Sequence, residues 1–246
     1  MYNNWEELEE VVKQCRKCRL CETRKNVVFG VGNREADIMF IGEGPGADED
    51  TQGEPFVGKA GKLMNMAFDM LGVKREEVYI ANIVKCRPPN NRNPQDDEAE
   101  NCLDYLRNQV ILVKPKIIVL LGSVALKNVL GKEYGITASR GKWLERKGIL
   151  YMPTWHPAAL LRDENKKIEL LFGCVDIFKT AISGDYDQGD DVITLYHERS
   201  KEAFKKIVKD NNISCDKSLY FVLQLFSGKE YHIVCKSIDV QVIQLN

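Results

Sequence analysis

No stretch of the 246 residues approaches the roughly 20 consecutive apolar positions that a membrane-spanning helix needs, so a helical membrane protein is not expected. The opening MYNNWEELEE is acidic and amphipathic and lacks a basic segment followed by an apolar run. It does not read as a secretory signal, and a cytoplasmic location follows as the expectation. Charge of one sign is also missing. Thirty-five Lys and Arg stand against 36 Asp and Glu, a net charge of −1, which removes any global basic signature for nucleic acid. A local basic face remains open to such a chain, and Arg16, Lys17, Arg19, Arg24 and Lys25 offer one. No internal repeat is found.

What the sequence does hold is cysteine, eight in all. In a reducing compartment these are metal ligands or buried apolar residues more often than disulfides. Cys15-x2-Cys18 lies near the N-terminus, and Cys86 and Cys102 follow, one beside a proline loop and one near a helix start. Two such pairs suggest a four-thiolate site, which either zinc or an iron–sulfur cluster would satisfy. Zinc ribbons usually carry two close pairs, so the wide second spacing favours a cluster. Cys21 extends the first pair to C-x2-C-x2-C and is read as a bystander, because four others suffice. Cys174, Cys215 and Cys235 stand in apolar surroundings and are expected in the core.

Helical spacing marks residues 4–14, 60–71, a stretch beginning at Asp96 or Asp97 as cap and running to about Val113, a short segment capped by Ser123, and 165–182. Short apolar runs at 37–42, 78–84, 116–122 and 149–153 read as strands, the last ended by Pro153. They alternate with helices and are apolar throughout, the pattern of a parallel sheet covered on both faces. The expected fold class is therefore α/β: a three-layer αβα arrangement around a central four-stranded parallel sheet. In such sheets ligands sit at the carboxyl ends of the strands. The loop Gly42-Glu-Gly-Pro-Gly46, the Asn82–Arg87 region and His156 all follow strands directly, so topology gathers them at one edge. After Gly184 the character changes. Residues 185–191 read as a linker, followed by one helix near 197–210 and two or three strands with a turn at 227–230. This gives a domain over 1–184 and a small α+β extension over 185–246 whose role no motif reveals.

Four segments then combine: Gly42-Glu-Gly-Pro-Gly46 with Glu49 and Asp50 behind it, Pro55-Phe-Val-Gly-Lys-Ala-Gly61, Asn82-Ile-Val-Lys-Cys-Arg-Pro-Pro89, and His156-Pro-Ala-Ala-Leu-Leu-Arg162. Their order and separations resemble the family 4, iron–sulfur uracil-DNA glycosylases. The resemblance covers roughly the first three quarters of the chain. It implies a monofunctional enzyme of base excision repair that removes uracil from single- and double-stranded DNA as a monomer, without cutting the strand. It also implies a [4Fe–4S] cluster on Cys15, Cys18, Cys86 and Cys102.

By the same resemblance Phe56 stacks on the flipped base, Asn82 reads it, and His156 hydrogen-bonds uracil O2. Gly44 and Gly46 bring backbone N–H groups close to the base or a phosphate. Some related glycosylases orient the attacking water with an aspartate at the third position of the first loop, where this chain has Gly44. Glu43, Glu49 and Asp50 are the carboxylates left, and Glu43 and Glu49 are favoured for roles in the pocket. Ala158–Arg162 resembles the loop that enters the minor groove, with an apolar wedge and Arg162 as a phosphate ligand. Three rivals were weighed. A cross-linking relative carries a nucleophilic histidine after the second strand, and CRPPNNRNPQ has none. An inactive DNA-binding module would be expected to lose Asn82, His156 or Phe56, and all three are present. A zinc hydrolase is separable by colour.

Overall fold

The computed structural model describes residue 2, residues 4–70 and 73–162, and the strand backbones 218–224, 230–236 and 239–244. It divides into two compact units, Met1–Gly184 and Asp185–Asn246. Among the described residues no helix is long and apolar enough to cross a membrane.

In the first unit the elements run in chain order. They are α1 (Trp5–Lys13), α2 (Leu20–Thr23), β1 (Val31–Gly32), β2 (Ile38–Gly42), α3 (Ala47–Gln52), α4 (Lys59–Met70), β3 (Tyr79–Asn82), α5 (Asp96–Val113), β4 (Ile117–Leu121), α6 (Gly122–Val129), α7 (Ile136–Ser139), β5 (Leu144–Arg146), β6 (Ile149–Thr154) and α8 (Pro157–Leu160). The sheet has six strands in the order β1-β3-β2-β4-β6-β5. Its four central strands are parallel, as the apolar runs lead one to expect. Two short antiparallel edges, β1 against β3 and β5 against β6, add to the four-stranded expectation.

Alternation along β2 divides the core. Ile38 and Phe40 face α4, where the Phe40 ring meets Phe68 with centroids 5.1 Å apart. Met39 and Ile41 face the layer of α1, α5 and α6, through Leu8, Val12, Leu106 and Leu126. Every residue of β2, β3 and β4 is buried, as a parallel sheet covered on both faces requires.

Local expectations differ in three places. Asn4 caps α1 by accepting from the Glu7 N–H at 2.8 Å, but α5 starts one residue earlier than its acidic pair implies. Gln95 is the cap, Asp96 and Asp97 fill the positively polarised first turn, and Glu98 accepts from the Gln95 N–H. Helix α6 starts at Gly122, so Ser123 lies in its first turn and caps nothing. Strand β6 passes through Pro153 to Thr154. Strand β5 pairs only as far as Tyr151, so no ladder partner requires the missing Pro153 N–H on that side.

The second unit shows a three-stranded antiparallel sheet, β7 (Ser218–Gln224), β8 (Glu230–Lys236) and β9 (Asp239–Gln244). The helices expected over 165–182 and 197–210, the stop at Gly72, the linker at 185–191, residues 227–229 of the expected turn, and Cys174 and Cys215 lie outside the described residues.

Candidate active site

The carboxyl ends of β2, β3 and β6 open onto one cleft of about 400 Å³. It is lined by Glu43, Gly44, Gly46, Glu49, Phe56, Asn82, His156 and Arg162, which are all the catalytic and base-contacting residues expected from sequence. Pro88, Asn91, Arg92 and Asn93, from the proline loop, complete the wall. That loop carried no expected role, because its place over the cleft depends on the fold and not on its composition.

Asn82 ends β3 with only 2% of its surface exposed. Its side-chain Oδ1 is buried and has no hydrogen-bond partner among the described residues. An orphaned buried acceptor costs about 1–3 kcal/mol, a penalty that a ligand donor in the cleft would relieve. Gly42 lies directly behind it. A Cβ there would fall 2.4 Å from Asn82 Oδ1 and 2.6 Å from Phe56 Cζ, so both side chains converge only because position 42 has none.

Phe56 is buried with φ of +53°, a left-handed backbone that a bulky residue adopts only when held there. Three contacts hold it. Glu49 Oε1 accepts from the N–H groups of Val57 and Gly58 at 3.0 and 2.9 Å. Arg75 donates to the Pro55 carbonyl and to Asn65. Gly61 lets the loop close on α4, since a Cβ there would strike the Phe56 carbonyl at 1.7 Å. The Phe56 and His156 rings then lie with centroids 5.6 Å apart, tilted by 32°.

His156 precedes α8, and its Nδ1 accepts from the Ala158 N–H at 3.2 Å. The proton of the neutral ring therefore sits on Nε2. Burial, reinforced by the Arg162 cation and opposed by Glu49, holds its pKa down to about 4.

The carboxylates separate clearly. Beyond the two bonds above, Glu49 Oε2 accepts from the Gly46 N–H at 3.0 Å. Glu49 thus braces the first two loops against each other and takes up the Gly46 N–H, while still lining the cleft. Asp50 is buried away from the cleft, accepting from the N–H of Lys25 at 2.9 Å. Glu43 also lines the cleft; burial raises its pKa, and no charged or hydrogen-bonding partner contributes to that shift.

Behind this wall lies a second, narrower cavity lined by Cys15, Cys18, Cys21, Cys86 and Cys102, with Arg24 and Lys85. None of the five thiols is in a disulfide. Among the described residues no three His, Cys, Asp or Glu side chains form a group that could hold a metal ion. Arg24 donates to Cys86 Sγ at 3.1 Å, and the Lys85 N–H donates to Cys102 Sγ at 3.3 Å. Burial pushes the Cys102 thiol up to about 11 and raises Cys18 and Cys86 as well. Thiolates at these positions therefore need positive charge beside them. Cys21 lines the same cavity and is nearer to the others than a bystander need be.

The basic turn contributes less to an outer face than its sequence suggests. Arg19 pairs with Asp97 and with buried Glu98, which also receives both terminal nitrogens of Arg92. Lys17 lies 4.6 Å from the centre of the Tyr105 ring.

A family model of the uracil DNA glycosylase superfamily matches residues 29–174. The type-4 uracil-DNA glycosylase of Sulfurisphaera tokodaii is 47% identical over 169 residues, 65% of this chain and 77% of the relative. Its namesake from Archaeoglobus fulgidus is 46% identical over 167 residues, 63% of this chain and 84% of its own. That of Thermotoga maritima is 45% identical over 175 residues, 68% and 90% respectively.

Proposed function

This chain belongs to the uracil DNA glycosylase superfamily, and on that premise we propose that it hydrolyses the N-glycosidic bond of deoxyuridine flipped out of DNA, releasing uracil and leaving an abasic site. The orphaned Oδ1 of Asn82, aimed into a cleft shared with Phe56 and His156, carries the reading. Extruding the nucleotide costs a few kcal/mol. Stacking on the Phe56 ring repays part of that. Asn82 Oδ1 accepts from uracil N3–H while its amide donates to O4. Cytosine presents the reverse order and leaves both groups unpaired, enough for discrimination of about 10⁴.

Cleavage builds negative charge on the departing uracil. The Nε2–H of neutral His156 donates to O2 and stabilises that charge, as fixed donors do at an oxyanion site. Glu43, the carboxylate without other engagements, orients the water that attacks C1′. Arg162 and the α8 segment meet the backbone at the gap left by the base. Among the described residues no lysine lines the cleft to form a Schiff base, which supports base release without strand cleavage. The reading is of a monomer acting on single- and double-stranded DNA, in the cytoplasm at the nucleoid.

Five cysteines line one cavity, with Arg24 donating to Cys86 Sγ, a thiolate donor set that suits an iron–sulfur group. Cys15, Cys18, Cys86 and Cys102 would hold a [4Fe–4S] cluster, which would cross-link the turn after α1, the loop after β3 and α5. Hydrolysis transfers no electrons, and the residues of the cleft account for each step.

The test is uracil release from single-stranded and U·G duplex DNA. Wild type is expected to leave abasic sites without nicking, and Asn82→Asp to lose uracil specificity or activity. Full uracil-specific activity in that variant would contradict the role given to Asn82.

A further inference from the structure

Lys85 is the one lysine in the described core, 1% exposed, and no carboxylate pairs with it among the described residues. Lysine is almost never buried without a counter-charge, and here the neighbouring Cys102 and Cys86 favour its cation, yet the hydrogen bonds of its Nζ go elsewhere. Its Nζ donates to the backbone carbonyl of Asn82 at 2.8 Å and to Gln109 Oε1 at 2.6 Å. Gln109, fully buried on α5, donates in turn to the Phe29 carbonyl and to the Tyr79 hydroxyl, at 2.9 and 3.0 Å. A buried polar chain thus runs from Tyr79 through Gln109 and Lys85 and ends on the peptide of the base-reading residue.

That peptide lies where the sheet ladder gives out. Gly42 and Asn82 are the last paired residues of β2 and β3, and beyond them only the N–H groups of Ile83 and Val84 reach across, to Gly42 and Glu43. The Asn82 carbonyl, on the same peptide as the Ile83 N–H, is held by the lysine. Lysine and Gly42 thus pin that peptide from its two sides, and loss of the lysine leaves it on the single Gly42 bond, with more play for the carboxamide in the slot behind Gly42.

We propose that Lys85 is a positioning residue for base recognition, holding the Asn82 peptide so that its carboxamide points into the cleft. This rests on the glycosylase reading given above. Methionine matches the stem of lysine without its donor. Lys85→Met tests the donor alone, because a merely space-filling role would survive it.

The experiment measures single-turnover uracil excision, over long incubations, for wild type, Asn82→Ala, Lys85→Met and the double variant. Affinity for free uracil, thermal midpoint and visible absorption are recorded for each. Displacing a catalytic group by about 1 Å costs on the order of 100-fold. Lys85→Met is therefore expected to slow excision by roughly 10- to 100-fold, with KM moved far less, weaker uracil binding and unchanged colour. Its effect should vanish in the Asn82→Ala background, because one group cannot be misplaced after removal. Wild-type excision and uracil affinity in Lys85→Met, or losses that multiply in the double variant, would overturn the proposal. Should Lys85→Met not fold, Lys85→Leu, which also lacks a donor, carries the same cycle with the same criteria. A wild-type protein inactive on uracil-DNA overturns the glycosylase reading and this proposal with it. An active wild type with an impaired Asn82→Ala and an indifferent Lys85→Met overturns this proposal alone.

Discussion

His156 acts through a proton whose place is set by its neighbours. Burial keeps the ring neutral down to about pH 4, and the Ala158 N–H on Nδ1 leaves Nε2 as the donor. Glu43 is shifted the other way, upward, by burial. If Glu43 orients the water as proposed, an acid limb of the rate profile should follow it, excision rising with pH as that carboxyl ionises above its usual range. Glu43→Gln should abolish the limb and lower the rate by about 10²–10⁴; an unchanged limb would assign it elsewhere. Stability follows His156 separately. Its folded pKa lies below the ordinary 6.5, so the unfolded chain binds the extra proton first. The contribution is complete above about pH 6.5 and is lost as pH falls toward 4. A His156→Gln variant should show a flatter melting-temperature profile across that window.

Motifs made Asn82, Phe56 and His156 legible at this scale, because each sits in a distinctive segment. Glu49 was legible as a site residue but not as a brace, since its three bonds depend on how two loops fold together. Lys85 and Gly42 stand inside two of these segments, but their roles, like that of Arg75, were not legible, because each depends on contacts with other elements.

At the scale of elements, the site consists of loops at strand ends kept in order by a few bonds across them. Glu49→Ala would orphan the N–H groups of Gly46, Val57 and Gly58, each worth about 1–3 kcal/mol if still buried. A fall in melting temperature of several degrees is expected, together with a large loss of excision, as Phe56 leaves its left-handed conformation. Calorimetry beside the uracil-release assay checks both, and an active, unshifted variant would remove Glu49 from the scaffold. The four parallel strands were readable because continuous apolar runs mean burial on both faces. The edge strands Val31–Gly32 and Leu144–Arg146 were not, being too short to show a period.

For the whole molecule, the family match spans 29–174 and the contacts divide after Gly184. A chain ending at Gly184 should excise uracil at close to the full-length rate. A collapse of activity in a folded fragment would assign the second unit a part in catalysis. The thiol cavity ties Cys15 to Cys102 across the first unit. Cys102→Ser should bleach the visible colour of thiolate-bound iron and lower stability, since metal-binding energy is folding energy.

The most direct measurement is an experimental structure with uracil bound. The base should lie against the Phe56 ring, its N3–H on Asn82 Oδ1 and its O2 on His156 Nε2. Uracil seated elsewhere, or turned so that Asn82 Oδ1 stays unpaired, would contradict the account.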